Sequence, residues 1–181
     1  MTAAPLASTP PFTLAQLNAA SAQDFVAALG GVYEHSPWVA EAVLGERPFA
    51  SVPALAAALQ AAVLRQPFAR QLALLRAHPE LASKAAVRQE LTAHSNAEQA
   101  GAGLTQCSAE EFADLQRLNA AYRDRFGWPF IIAVKGYTRA SILAALQARL
   151  QHSAASEFEE CIAQVGKIAA LRLDGLVAGA T

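Results

Sequence analysis

Signals that start and stop helices recur along nearly the whole chain, and they constrain its fold more than any other feature. Ser108 and Glu111 match a capping box ahead of a long helix that should end at Gly127. Ser156 and Glu159 match the same pattern ahead of the last helix. About a quarter of the chain is Ala, the strongest helix former. The sequence therefore predicts an all-α fold, a single compact bundle of about eight helices.

The other helices are expected between similar start and stop signals. In chain order, the predicted ranges of all the helices are 13–18, 21–29, 36–45, 51–66, 68–77, 108–126, 138–150 and 156–176. Strand signals are weak, since Phe130–Val134 is short, rich in β-formers and has no partner segment. We expect it to be an extended segment that lines the site. Residues 1–11 are predicted to be a flexible arm, and residues 12–181 a single domain.

Charge and composition exclude several classes of protein. Fourteen Lys and Arg against fifteen Asp and Glu give a net charge of −1, so no basic excess is present to bind nucleic acid. No uncharged apolar run approaches the roughly 20 residues of a membrane span. The N-terminus lacks the pattern of a secretory signal, and the two cysteines lack metal-site spacing, so we expect a reduced, cytoplasmic setting. Phosphate-loop, dinucleotide-binding and serine-hydrolase motifs are absent as well.

Three groups of polar residues fit poorly with a plain helical bundle, although each also has a structural explanation. His78 precedes a proline and could simply cap the carbonyls of the preceding helix. Ser95 and Glu98 could form a capping box at a helix start. Arg172, among apolar neighbours, could extend past them to solvent. Taken singly, none of these patterns identifies a site.

Three further residues are weaker candidates. His35 has no second ligand at helical spacing, so we expect a structural role near a helix start. His152 is expected to be a solvent-facing residue at a helix terminus. Cys107 lies just before a helix N-cap, which could lower the pKa of its thiol, but no histidine motif follows it. We expect no catalytic thiol and no metal site.

Taken together, five motifs in order along the chain resemble the family of 2-oxo-4-hydroxy-4-carboxy-5-ureidoimidazoline (OHCU) decarboxylases. The resemblance extends from about Leu17 to Leu176. The motifs are Phe25–Trp38, His78-Pro79-Glu80-Leu81-Ala82, Ser95-Asn96-Ala97-Glu98-Gln99 with Ala102-Gly103-Leu104, Asn119–Ile131, and Glu157–Leu173 with its ending Leu171-Arg172-Leu173. The departures are mild, with Glu80 in place of the commoner Asp and His152 where an Asn is usual.

The resemblance implies specific site residues. The catalytic residues of the family correspond to His78, Glu98 and Arg172. Its substrate-binding positions correspond to Pro79, Ser95, Asn96, Ala97, Glu98, Gln99, Phe130, Ile131, Ile132, Ala133 and Val134.

The implied reaction converts a small ureide, OHCU, to (S)-allantoin during urate degradation. The substrate can delocalise the electrons left by CO₂, so the resemblance implies no cofactor, in agreement with the absence of a cofactor motif. It also suggests a homodimer. Two alternatives stay open, a non-catalytic all-helical binding module and a lyase or hydrolase that acts on a related ureide. In the first, His78, Glu98 and Arg172 would be separate surface residues.

Overall fold

Capping side chains start several helices where the sequence predicts. In the computed structural model, which describes residues 11–82 and 91–178, the Ser108 side chain accepts a hydrogen bond from the N–H of Glu111, whose side chain accepts one from Ser108 in return. The helix ends at Gly127, which has a φ of 81° and so adopts the left-handed conformation that glycine favours. The long helix is therefore confirmed at both ends.

The described residues contain nine α-helices, numbered here in chain order. They are α1 (Leu14–Ala19), α2 (Ala22–Leu29), α3 (Trp38–Ala42), α4 (Val52–Leu64), α5 (Phe68–Ala77), α6 (Ala93–Gly101), α7 (Ala109–Phe126), α8 (Arg139–Arg149) and α9 (Ala154–Leu176). Single 3₁₀ turns lie at Leu44–Glu46 and Leu104–Gln106. The prediction of an all-α fold is confirmed. None of the helices among the described residues is both long and apolar enough to cross a membrane.

Two helices begin earlier than the sequence suggested. The N-cap of α6 is Thr92, whose hydroxyl accepts from the N–H of Ser95, so Ser95 lies inside the first turn and is not the cap. The hydroxyl of Ser153 accepts from the N–H of Ser156, so α9 also begins upstream of Ser156. In both cases a second hydroxyl residue three positions earlier fills the capping role.

The chain divides into two compact units, and the first comprises residues up to 65 together with residues from 169 onward. Its first and last strands form a short parallel pair, in which β1 (Phe12–Thr13) pairs with β2 (Val177–Ala178). Segments of two residues are too short to produce a recognisable strand pattern, which explains why this pair was not predicted. Buried apolar side chains from α2, α3, α4 and α9 form its core, among them Phe25, Leu29, Val39, Leu55, Leu59 and Leu173.

The second unit comprises residues 66–168. Its core is built from α5, α7, α8 and α9, with the buried side chains of Leu74, Leu75, Leu115, Tyr122, Phe130, Ile142 and Leu146. The segment Phe130–Val134 has no regular secondary structure, as predicted. Residues 1–10 of the expected N-terminal arm lie outside the described residues, and the single-domain interpretation stays a prediction.

Candidate active site

His78 lies at the end of α5, where the following Pro79 prevents the helix from continuing. Its side chain is buried, and Nδ1 lies 2.9 Å from the carbonyl oxygen of Leu74. A carbonyl can only accept, so Nδ1 carries the proton in this hydrogen bond. In a neutral imidazole Nε2 is then the unprotonated nitrogen. The capping role considered for His78 is therefore real, and it fixes the tautomer of a ring that can still accept a proton.

The loop that follows His78 is held by side chains from two other helices. Gln99 of α6 accepts a hydrogen bond from the N–H of Ala82 at 2.9 Å. From α7, Gln116 donates to the carbonyl of Ala82 and Asn119 to that of Leu81, each at 2.8 Å. Ala82 has a φ of 50°, a conformation that costs energy for a residue with a Cβ atom. These three amides hold the main chain next to His78 in that conformation.

Helix α6 presents one polar face to the interior of this unit. Ser95 and Gln99, four residues apart, are both buried. Glu98 and Asn96 are half-buried, and Asn96 also donates to the carbonyl of Leu91 at 3.0 Å. Ala97 is exposed on another side of the helix, so its methyl group does not share the buried face.

The extended segment is buried but lacks the hydrogen-bond ladder of a strand. The carbonyl of Ile131 accepts from Nη1 of Arg149 at 2.7 Å, and the N–H of Ala133 donates to Oε1 of Gln164 at 2.9 Å. Ile132, between them, is 5% exposed. No hydrogen bond between described residues engages its N–H or its carbonyl. Two main-chain groups of this segment are thus held by side chains, and those of Ile132 are not.

Arg172 belongs to the other unit, and its side chain is 3% exposed. Nη1 lies 3.0 Å from Oε2 of Glu34 and 3.3 Å from the carbonyl of Val32. Glu34 is itself 2% exposed. The alternative considered for Arg172 taken singly, a surface arginine that reaches solvent past apolar neighbours, is therefore wrong. The opening motif of the resemblance and its last helix meet in this buried ion pair.

The sequence reasoning missed several residues of this architecture, above all Gln116 and Arg149. Arg149 follows Ile142 and Leu146 on one apolar stripe of α8, since the three are spaced four and three residues apart. An arginine on such a stripe is a detectable signal for a buried, paired charge. Gln116 gave no comparable signal, because a half-buried glutamine on a long helix is ordinary.

The weaker candidates are resolved in different ways. The His35 side chain is 69% exposed, with a φ of 46°, beside Glu34. His152 is not simply solvent-facing, because its Nδ1 lies 2.7 Å from Oε2 of the fully buried Glu157. Burial and the charge of Glu111 raise the pKa of the Cys107 thiol, which disfavours the thiolate that a nucleophile needs. Among the described residues, no cluster of His, Cys, Asp and Glu side chains could hold a metal ion.

The chain is similar to known proteins over most of its length. The family model described as OHCU decarboxylase matches residues 18–174. The OHCU decarboxylase of Haloferax volcanii is 46% identical over 161 residues, which cover 89% of this chain and 94% of that protein. The mouse (Mus musculus) OHCU decarboxylase is 37% identical over 164 residues, covering 91% of this chain and 92% of that one.

Solved structures give the same result. A crystal structure of (S)-allantoin synthase superposes with a TM-score of 0.74 at 34% identity, covering 91% of this chain and 54% of that chain. A crystal structure of OHCU decarboxylase in the presence of (S)-allantoin has a TM-score of 0.65 at 23% identity and shows the shared fold, covering 87% of this chain and 98% of that one. The family model, the relatives and the motifs agree, and this chain belongs to the OHCU decarboxylase family.

Proposed function

We propose that this chain decarboxylates OHCU to (S)-allantoin in urate degradation, without a metal or an organic cofactor. The observation that carries the proposal is the hydrogen bond between Nδ1 of His78 and the carbonyl of Leu74. It leaves Nε2 as the unprotonated nitrogen of a neutral, buried ring at the start of the His78–Ala82 motif. The names of the relatives and of the 34% identical structural neighbour support the same reaction.

The substrate supplies its own electron sink. When the bond between the ring carbon and the carboxylate breaks, CO₂ leaves and the electron pair is delocalised into the adjoining imine. The imine nitrogen takes up a proton, and the hydroxyl group on the decarboxylated carbon loses its proton and becomes a carbonyl. A proton adds at the neighbouring ring carbon, which carries the ureido arm, to give allantoin. Delivery of that proton from one face produces a single enantiomer. His78 is the acid–base group in this scheme, a role that typically contributes roughly 10²–10⁴-fold to a rate.

The other residues bind and orient the substrate. A carboxylate at Glu98 would repel the carboxylate that departs, so it accepts N–H groups of the ureido arm or the ring instead. The resemblance assigns Arg172, which has a planar fork of donors, to an anionic group of the substrate. Ser95, Asn96 and Gln99 provide neutral hydrogen bonds. The substrate ring is enclosed by Pro79, by the main chain of α6 near Ala97 and by the Phe130–Val134 segment. The main chain of Ile132 offers one donor and one acceptor to this ring.

The experiment is a circular-dichroism time course in which urate oxidation and hydrolysis generate OHCU in situ. The wild-type chain should accelerate the appearance of the (S)-allantoin signal over spontaneous decay. His78→Asn is the variant to compare, because its amide can still donate to the carbonyl of Leu74 and keep the helix end intact. The matched control is His35→Asn, an exposed histidine in a left-handed conformation that asparagine tolerates.

We expect His78→Asn to lose roughly 10²-fold or more of the rate, and His35→Asn to keep it. No acceleration by the folded wild-type chain would overturn the decarboxylase proposal in favour of a non-catalytic binding module. Turnover of a related ureide in place of OHCU would identify a different lyase or hydrolase. Full activity in His78→Asn would leave His78 with the capping role alone.

We further propose that the chain is a cytoplasmic homodimer that binds this small ureide and not nucleic acid. The net charge of −1 supports the last point. Light scattering after size exclusion tests the dimer directly, and a mass near 19 kDa, that of one chain, would contradict it.

A further inference from the structure

The second unit contains a buried ion pair between Arg149 and Glu157, and Arg149 contacts the extended segment Phe130–Val134. Oε1 of Glu157 accepts from Nε of Arg149 at 2.8 Å and from its Nη2 at 2.6 Å, and the hydroxyl of Tyr122 donates to the same oxygen. Oε2 faces His152 at 2.7 Å. The Glu157 side chain is 0% exposed and that of Arg149 is 8% exposed. None of these residues has a role in the proposed chemistry.

The groups of Arg149 that do not bind Glu157 contact the extended segment. Nη1 donates to the carbonyl of Ile131 at 2.7 Å, and the guanidinium lies over the ring of Phe130 at 4.6 Å from its centroid. Burial alone would lower the pKa of Arg149, but the hydrogen bonds and charge of Glu157 outweigh it and raise the pKa. Arg149 is therefore a permanent cation that holds both the main chain and a side chain of the segment.

Helix α9 supplies a second attachment for the extended segment, through Gln164. Glu157, Cys161 and Gln164 lie four and three residues apart, and so they share one face of this helix. Oε1 of Gln164 accepts from the N–H of Ala133, while its Nε2 donates to Glu160 at 2.7 Å. The bond to Glu160 fixes the orientation of the amide, so that its oxygen faces the segment.

Buried ion pairs contribute little to stability compared with apolar residues of similar size, because both charges lose their hydration. A geometric role explains this one better. The pair and Gln164 hold the groups on either side of Ile132, the carbonyl of Ile131 and the N–H of Ala133. The direction in which the N–H and carbonyl of Ile132 point follows from those two attachments.

We propose that Arg149, held by Glu157, and Gln164 are positioning residues that orient the main chain of Ile132 toward the bound ureide. The proposal rests on the proposed function, since it assigns the segment to substrate binding. It predicts that losing either attachment weakens substrate binding and leaves the chemical step at His78 largely unchanged. The expected signature is a raised KM with a nearly constant kcat.

Gln164→Met tests the second attachment with little change in volume. We expect KM to rise about five- to tenfold, as for the loss of one hydrogen bond, with kcat within about twofold. Hydrogen exchange at the Ala133 amide should also become faster. The matched control is Gln147→Met, an exposed glutamine on α8, which should change neither quantity.

The first attachment needs a double variant, because Arg149→Met alone would strand the buried carboxylate and could unfold the chain. Arg149→Met combined with Glu157→Gln removes both charges and keeps an acceptor for the hydroxyl of Tyr122. It should fold, with KM raised by a similar factor, because the carbonyl of Ile131 has lost its donor. If kcat fell and KM stayed constant in both variants, the positioning role would be wrong.

The outcomes separate this inference from the proposed function. An inactive wild-type chain would overturn the decarboxylase assignment and, with it, the role in ureide binding. An active wild-type chain with unchanged KM in Gln164→Met and in the double variant would overturn the inference alone. Unchanged exchange at the Ala133 amide in Gln164→Met would also overturn it, whatever the activity, because the segment would then be held without Gln164.

Discussion

Oε1 of Gln99 accepts a hydrogen bond from the main-chain N–H of Ala82 at 2.9 Å. The two residues belong to different sequence motifs, one that begins at His78 and one that begins at Ser95. The side-chain oxygen of Gln99 and the N–H of Ala82 are both buried, so this hydrogen bond is not readily exchanged for one with water. The position of the loop after His78 therefore depends on helix α6, and the two motifs act as one structural unit.

Gln116 should matter for activity although no motif marks it as catalytic. It donates to the carbonyl of Ala82 at 2.8 Å, while Gln99 accepts from the N–H of the same residue. Gln116→Met removes this donor and should loosen a loop that is strained at Ala82. We expect kcat/KM to fall about tenfold, with the free energy of unfolding lowered by about 1 kcal/mol. Initial rates and urea denaturation measure the two quantities.

Gln147→Met serves again as the control, because that side chain is exposed on a neighbouring helix. It should leave both the rate and the urea midpoint unchanged. A Gln116→Met variant with full kcat/KM and the expected small loss of stability would show that the loop keeps its shape through Gln99 and Asn119 alone.

Local rules predicted the helices well. Capping residues, prolines and glycines act over a few residues, and the helix 68–77 has the same ends in the structure as in the prediction. Errors occurred where two hydroxyl residues competed for one cap, as with Thr92 and Ser95. The extended nature of Phe130–Val134 was also predictable, because a single β-rich segment had no partner with which to pair.

The supports of the candidate site were harder to predict. Gln99 and Asn119 reach the loop across 17 and 38 residues of sequence, and no periodicity encodes such contacts. The burial of Arg149 could in principle have been predicted, since this residue interrupts an apolar stripe on α8. Its partners could not be deduced, because an ion pair depends on how the helices pack and not on the spacing within one helix.

Glu34 should stabilise the first unit far more than an ordinary surface acid. It lies 3.0 Å from the guanidinium of Arg172, and both side chains are almost fully buried. Glu34→Gln removes the negative charge from this buried ion pair, so the free energy of unfolding should fall by roughly 3 kcal/mol at neutral pH. Urea denaturation followed by circular dichroism measures the change.

The matched control is Glu46→Gln. Glu46 pairs with Arg65 at 2.9 Å in the same unit, but the two side chains are 41% and 56% exposed. An exposed pair of this kind contributes at most about 1 kcal/mol. Equal losses in the two variants would mean that the burial of Arg172 and Glu34 does not govern the strength of their interaction.

The two cysteines should differ sharply in reactivity. Cys161 is fully buried, and Tyr122, Trp128 and Arg149 contact its sulfur. Burial raises the pKa of its thiol. Cys107 is only half-buried, but burial and the charge of Glu111 raise its pKa too, and its thiol donates to the carbonyl of Leu104 at 3.3 Å. Both are therefore protonated at neutral pH.

Alkylation requires the thiolate, so a raised pKa moves the rise in reaction rate to higher pH. We expect Cys107 to react slowly with iodoacetamide at pH 7, faster as the pH increases, and half-maximally above the usual thiol pKa of about 8.5. Cys161 should react only after unfolding in urea. Mass spectrometry of the alkylated peptides distinguishes the two sites, and Cys107→Ser should keep full decarboxylase activity. The exclusion of Cys107 from the chemistry would be contradicted if alkylation at pH 7 were rapid and abolished activity, and if the Cys107→Ser variant were inactive as well.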